Sequence, residues 1–463
     1  MSLRVYVYET FAFTKFMKQS NDVLTSTAFG HRMFESEYWH AQQYSVSFAF
    51  MYRLYTSKYL TRNWEEADLF VIPLLPQGRP YDNNEFFARG MEYSDKGFEL
   101  WPKKMTIEIE PLCKTIWQTH LNETFIYLTP ATARRHVLIT VGFTDAISMC
   151  LHVQHRLNIS GNPRSSALLG QMSTITLENY NPSPKTYWSS ITWSDLHGIS
   201  SFNVPFMSGI RSARAYSNMY GHPRPFFLSF AGSKNGNTVG MALRKQIVDL
   251  CVSYGEPLCK HHVAANMEHY EHLLNAFEIK QKSVFCLEPG GFTDVRSAMF
   301  DALAMGCIPV LFLSKYFIER GLPLVAPFHW GPILHNTSVI IDANEFLNKR
   351  IDLLDTLQSI SMVRIEKMQA ILKAHISRLT WHGIGENYTD IDAFDISLAT
   401  FADFANRSHT MKHQSVPKEE RFYNKQNSNP QLYRTKFLYI SLPIVVTLSW
   451  CLILAIAIGK KCN

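Results

Sequence analysis

Continuous apolar runs alternate along the chain with stretches whose apolar positions recur every three or four residues. "LRVYVYE" (3–9), "ADLFVIPL" (67–74), "TFIYLTP" (124–130) and "HVLITVG" (136–142) read as strands. They are apolar at nearly every position, the pattern of a parallel sheet covered on both faces. A long aromatic-rich helix is predicted over 36–61. The Gly/Pro cluster "GHPRP" (221–225) reads as a linker, after which "PFFLSFAG" (225–232) restarts the rhythm. A helix over about 238–253 follows, then a strand from Ser283 to Leu287, a helix from about Asp294, and a strand from Cys307 to Phe312. "SVIIDA" (338–343) reads as a last strand, with helices at about 344–358, 361–380 and 390–406. Residues 407–436 are polar with little to bury and read as a stalk. Phe437 to Gly459 carries no charge. As a helix it is about 35 Å long against a bilayer core of about 30 Å, so a C-terminal transmembrane helix is expected.

Composition narrows the class. The 463 residues are 46% hydrophobic and 18% charged, which leaves room for two or three domains and a large core. The net charge of +6 is spread without a long basic run. That balance suits a small anionic ligand or a membrane surface and does not point to nucleic acid. The eight cysteines include no CxxC pair, so no zinc site is expected. Cys251 and Cys259 are placed to bridge in an oxidising compartment, but buried free thiols are the expectation.

Topology signals conflict. "MSLRVYVYE" enters a strand pattern with no signal peptide. Lys418, Arg421, Lys425, Arg434 and Lys436 before the span, against Lys460 and Lys461 after it, favour a cytosolic N-terminal side. The ending "KKCN" resembles a dilysine retrieval signal, and sequons at Asn122, Asn158, Asn336, Asn387 and Asn406 fit a lumenal domain. The expectation is an endoplasmic-reticulum or Golgi membrane protein with a lumenal domain; a cytosolic-facing tail-anchored protein is the alternative.

The segment 283–312 holds the chemistry. Gly290 and Gly291 let the chain turn and let backbone approach a ligand, and the helix that follows buries Val295, Ala298, Met299, Ala302 and Leu303. Its N-terminus offers unpaired N–H groups to a phosphate. Arg296, placed in the first turn, suits a diphosphate, while Ser297 and Asp301 share a face away from the buried stripe. Such a unit holds a nucleotide at a strand's carboxyl end; a purely structural βαβ unit fits the same residues. The glycine fingerprint of a dinucleotide-binding oxidoreductase is absent.

"FCLEPGGFTDVRSAMFDALAMGCIPVLF" resembles the donor-binding segment of the exostosin-like glycosyltransferases. "VYVYE", "YLTRNWEEADLFVIPL" (59–74) and "FFLSFAGSKNGNTVGMALRKQI" (226–247) agree with the family in order, so the likeness runs from about 3 to 315. It implies a GT-B architecture of two facing Rossmann-like domains. Here these would be an acceptor-side domain over 1–220 and a nucleotide-sugar domain over 221–345, followed by closing helices over 346–406. The implied reaction is a metal-independent inverting transfer, without cofactor, from a nucleotide sugar, expected to be UDP-linked, to a polysaccharide or glycoprotein glycan. Carried over by residue, Arg296 and Ser297 would meet the diphosphate and Asp301 the ribose, with Gly232, Lys234 and Arg244 in the facing phosphate loop. A solvated loop lysine and a helix-surface arginine are the plain readings of Lys234 and Arg244.

Departures from the family pattern bear on catalysis. Its arginine three residues before the carboxylate is here Ala298, and its Gly-Arg-Asp-His stretch reads "ARRH" (133–136). An inverting transfer needs a base near the acceptor hydroxyl. Asp145 in "VGFTDA" is the first candidate and His136 the second. The same positions also suit a helix N-cap and a packed core histidine. Trp188 and Trp193 are candidates for stacking on an acceptor sugar or for core packing. The rival of another class is a non-catalytic subunit that keeps the fold and supports an active glycosyltransferase partner.

Overall fold

Parallel pairing dominates the architecture. The computed structural model describes residues 3–9, 17–18, 31–32, 39–40, 46–74, 126–140, 172–176, 200–209, 222–233, 238–264, 270–291, 295–313, 326, 328–382 and 391–406. All fall in one unit, Met1–Thr410. The expected stalk, the 437–459 span, Asp145, Lys234, Trp188, Trp193, Asn122, Asn158 and Asn387 lie outside the described residues. Among the described residues no helix is long and apolar enough to cross a membrane.

The first sheet is built by β1 (Val5–Val7), β4 (Leu60–Thr61), β5 (Leu69–Leu74), β6 (His136–Thr140), β7 (Ser173–Thr176) and β8 (Ser200–Asn203). Its order is β4-β1-β5-β6-β7-β8, parallel throughout. A two-residue antiparallel pair, β2 (His31–Arg32) with β3 (Trp39–His40), stands apart from it. Strand alternation sends Val5, Val7, Leu69, Val71, Val137 and Ile139 into the main core. Tyr8, Phe70, Ile72 and Leu138 go to a smaller core on the opposite face. Both faces are therefore covered, as the apolar runs require.

Two expectations fail here. The helix predicted over 36–61 is α1 (Val46–Tyr55) alone, and Trp39–His40 is strand. Thr56 and Ser57 turn their hydroxyls back onto Tyr52 O and Leu54 O and end it. The described part of the strand expected over 124–130 is turn. Thr132 organises that turn, accepting from Thr129 N at 2.9 Å and donating to Tyr127 O.

The second sheet comprises β9 (Phe226–Ser233), β10 (Cys259–Ala264), β11 (Ser283–Pro289), β12 (Ile308–Leu313) and β13 (Val339–Asp342). The helices α2 (Thr238–Tyr254), α3 (Tyr270–Gln281) and α4 (Ser297–Ala304) connect its strands. Its order is β10-β9-β11-β12-β13, parallel throughout, so the winding reverses between β9 and β11. A doubly wound sheet opens a crevice at the carboxyl ends of such a pair. Disulfides Cys251–Cys259 and Cys286–Cys307 join α2 to β10 and β11 to the residue before β12. The free-thiol expectation is corrected: the turn from α2 into β10 brings Cys251 to Cys259, and the pairing of β11 with β12 brings Cys286 to Cys307.

The helix predicted over 344–358 is two, α5 (Ala343–Leu347) and α6 (Leu353–Gln358), each capped by an aspartate. Asp342 accepts from Asn344 N and Glu345 N, and Asp352 accepts from Asp355 N. After α7 (Met362–His375), the chain returns to the first sheet as α8 (Ala393–Asn406). Phe394 and Phe401 pack on Phe50 of α1 at 5.1 and 6.2 Å between centroids, and Phe401 meets Phe202 of β8 at 5.3 Å. Asp392 has no exposed side-chain surface; it pairs with Arg53 and accepts from His382 N and Phe394 N. Of the helices after β13, α8 packs on α1 and β8, while Gln369 of α7 donates to Gly306 O beside β12.

Candidate active site

The crevice between β9 and β11 is lined by groups from four elements. β9 ends at Gly232 and Ser233, and β11 runs into Gly290 and Gly291. The first turn of α2 packs so closely on that glycine pair that a Cβ on Gly240 would stand 2.4 Å from Gly291 O. A side chain there would push the helix N-terminus off the crevice. Arg244, one turn along α2, is 4% exposed, not the helix-surface charge its plain reading gives. It donates from Nε to Gly290 O at 3.2 Å and from Nη1 to Ser233 O at 2.9 Å and Ser233 Oγ at 3.2 Å.

Arg296 faces the same space. It is the N-cap of α4 in extended conformation, not a first-turn residue, and donates to Pro289 O at 3.3 Å. Its guanidinium comes within 3.8 Å of where a Gly232 side chain would begin. Burial, reinforced by the Arg296 charge and opposed by Glu288, pushes the Arg244 pKa down to about 9. Two guanidiniums held beside each other with little water favour a multiply charged anion between them. Ser297 opens α4, half-buried next to Arg296. The fold therefore brings Gly232, Arg244, Gly290, Gly291, Arg296 and Ser297 to one crevice.

Two expected site residues are placed otherwise. Asp301 does not lie on a solvated face: it is 9% exposed, and its Oδ1 accepts from Gly209 N at 2.7 Å. The segment after β8 covers the side of α4 that the spacing leaves polar. His136 is fully buried and stacks on Phe70 at 4.7 Å. Its Nδ1–H donates to Thr132 O at 2.8 Å, which leaves Nε2 to accept from the Tyr8 hydroxyl at 3.0 Å. Burial pushes its pKa down to about 4. With both nitrogens engaged inside the core, His136 is corrected from candidate base to core histidine.

Sequence reasoning passed over a buried ion pair behind the crevice. Lys280 of α3 bonds Glu288 of β11, and its Nζ also donates to Ala298 O at 2.9 Å. The signal was available: an acid inside the apolar strand "SVFCLEP" demands a partner. A cavity of about 620 Å³ opens on another side of α2, lined by Lys245, Asp249, Phe346 and Asp352, and shares no residue with the arginine pair. Among the described residues no group of three His, Cys, Asp or Glu side chains is arranged to hold a metal ion.

Comparison with known proteins bears on the same segment. Residues 152–354 match the family model of the Exostosin GT47 domain. The chain is 24% identical over 204 residues to the Arabidopsis thaliana "Probable xyloglucan galactosyltransferase GT12", covering 43% of this chain and 38% of that one. It is 27% identical over 187 residues to "Xyloglucan-specific galacturonosyltransferase 1" of the same plant, covering 39% and 26%. With "Xyloglucan galactosyltransferase MUR3", also from Arabidopsis thaliana, it shares 26% over 195 residues, covering 40% and 29%. These matches span well under half the length of the relatives. A solved structure of TarM aligns over 59% of this chain and 55% of its own at 11% identity and a TM-score of 0.30, too slight a likeness to argue from.

Proposed function

We propose that this chain, whose residues 152–354 match the model of the Exostosin GT47 domain, is a glycosyltransferase that moves a sugar from a nucleotide sugar to a polysaccharide. The observation that carries the reading is the pair of arginines at the reversal point of the second sheet, Arg244 buried and Arg296 half-buried beside it. In transfer from a UDP-sugar, negative charge grows on the leaving diphosphate. Arg244 and Arg296 would take that charge, aided by the N–H groups at the start of α2 and α4. Fixed cations in that place support a metal-independent reading; the inverting course and the GT-B arrangement are proposed from the family resemblance, with Lys234 as a third cation and Asp145 as the remaining candidate base. The relatives' names make a β-glucan of the xyloglucan kind the first acceptor to try.

The reading places the enzyme in the endoplasmic reticulum or Golgi lumen, anchored by 437–459. Two buried disulfides support an oxidising compartment, and the sequon asparagines Asn336 and Asn406 are exposed. A glycosidase-sensitive shift of the expressed chain on a gel is the expected outcome; an unshifted band would place the domain in the cytosol.

The deciding assay is a panel of nucleotide sugars, read as donor hydrolysis with and without a xyloglucan acceptor. Release of UDP, lowered by about two orders of magnitude or more in Arg296→Ala with chelator present throughout, is the expected result. UDP binding without turnover on any donor would instead favour the non-catalytic subunit. The observation on that side is that His136 is consumed in the core.

A further inference from the structure

The arginine crevice does not explain the buried carboxylate behind it. Lys280 and Glu288 satisfy one another, yet Asp301 bonds a part of the chain 92 positions away. Its Oδ1 accepts from Gly209 N, and the Ser208 side chain bonds the same carboxyl group. Gly209 fits because it has no side chain: a Cβ would stand 2.3 Å from the Phe277 ring of α3. Phe206, fully buried, lies 6.0 Å from Phe300 of α4, and Pro205 O accepts from Trp381 Nε1 at 2.9 Å. The segment 204–209 leaves the last strand of the first sheet, and α3, α4 and the returning chain grip it from three sides.

The helix that grips it is also the helix that aims the donor site. Arg296 caps α4 and Asp301 sits on its second turn. A carboxylate buried against Ser208 and Gly209 faces the 204–209 segment instead of the open space a ribose would need. Resting on the donor-site reading above, we propose that Asp301 is a positioning residue, not a donor ligand: it fixes the Ser208–Gly209 backbone and so sets the first sheet against the arginine crevice. The groups facing its carboxyl are Lys280 of α3, Glu288 of β11, and Ser208 and Gly209 of the segment itself.

The test separates clamp from ligand by measuring amide exchange at Gly209, UDP binding by calorimetry and turnover in Asp301→Ala and Asp301→Asn. In the alanine variant Gly209 exchange rises about 10-fold or more, the scale of a lost charge-assisted hydrogen bond. Turnover falls about 10-fold while UDP affinity stays within about 2-fold of wild type. The asparagine variant keeps an acceptor oxygen for Gly209 and restores both. Ser208→Ala, with the carboxylate intact, raises Gly209 exchange by about 3-fold, and serves if the alanine variant does not fold. A 10-fold loss of UDP affinity in both Asp301 variants overturns the proposal, as does Gly209 exchange that does not change. If the wild-type chain binds no UDP, the donor-site reading falls, and the exchange comparison alone decides the clamp.

Discussion

Arg244 is buried beside a like charge, an arrangement that costs stability unless an anion completes it. Arg244→Ala should weaken UDP binding by about 100-fold, the scale of a lost charge-assisted contact, and calorimetry checks it. Lysine at the same position keeps the charge but cannot hold Gly290 O and Ser233 O together, so Arg244→Lys should fall between. Titration of buried groups gives a second expectation. His136 and His329 are pushed by burial from 6.5 to about 4 and about 3. The unfolded chain takes up those protons first, so their contribution is full above pH 6.5 and is lost as pH falls toward 4 and 3. Asp301 runs the other way: burial raises it from 3.8 to about 6, so its contribution is full below 3.8 and is lost as pH rises through about 6. Between pH 6 and 4 these three groups together hold about one proton more in the unfolded chain, so their joint contribution to stability should fall with acid at about 1.4 kcal/mol per pH unit. Asp301→Asn removes the opposing group and should steepen that slope to about twice the value, while stabilising the protein above pH 6. Thermal melts across this range check both signs.

At the scale of elements, the contact between α2 and the glycine pair is sensitive to one methyl group. Gly240→Val should lift the first turn of α2, costing about 1–3 kcal/mol and weakening UDP binding, in melts and calorimetry respectively. β1, β5, β6, β9, β11, β12 and β13 were legible because continuous apolar runs have few other uses in a chain of this composition. β4, β7, β8 and β10 were passed over, being two residues long or rich in polar residues, as in "STIT" and "CKHHVA". What misled was local hydroxyl chemistry: Thr56, Ser57 and Thr132 redirect backbone bonds that periodicity alone would assign to helix or strand. The residues that meet at the arginine crevice were legible from "EPGG" and the arginines, but the burial of Arg244 was not. Helical spacing places Asp301 opposite the apolar stripe, and only the fold brings residues 204–209 across that side. Lys280 was missed with its helix, whose apolar face in "YEHLLNAFEIKQ" is broken by polar residues.

Across the molecule, the return of α8 to the first sheet rests on aromatic packing around one ion pair, its aspartate buried and its arginine half-buried. Asp392→Asn leaves Arg53 without its counter-charge and should cost about 3–5 kcal/mol, measured by denaturant unfolding. The pair joins positions 339 apart, so a segment made late completes a core begun around Phe50. That spacing sets an order of events during synthesis. At about 5–20 residues per second, tens of seconds pass on the ribosome between the appearance of Phe50 and that of its lid. For that interval the nascent chain around Phe50 displays an oily face with no native cover, and chaperones have a fixed window in which to hold it.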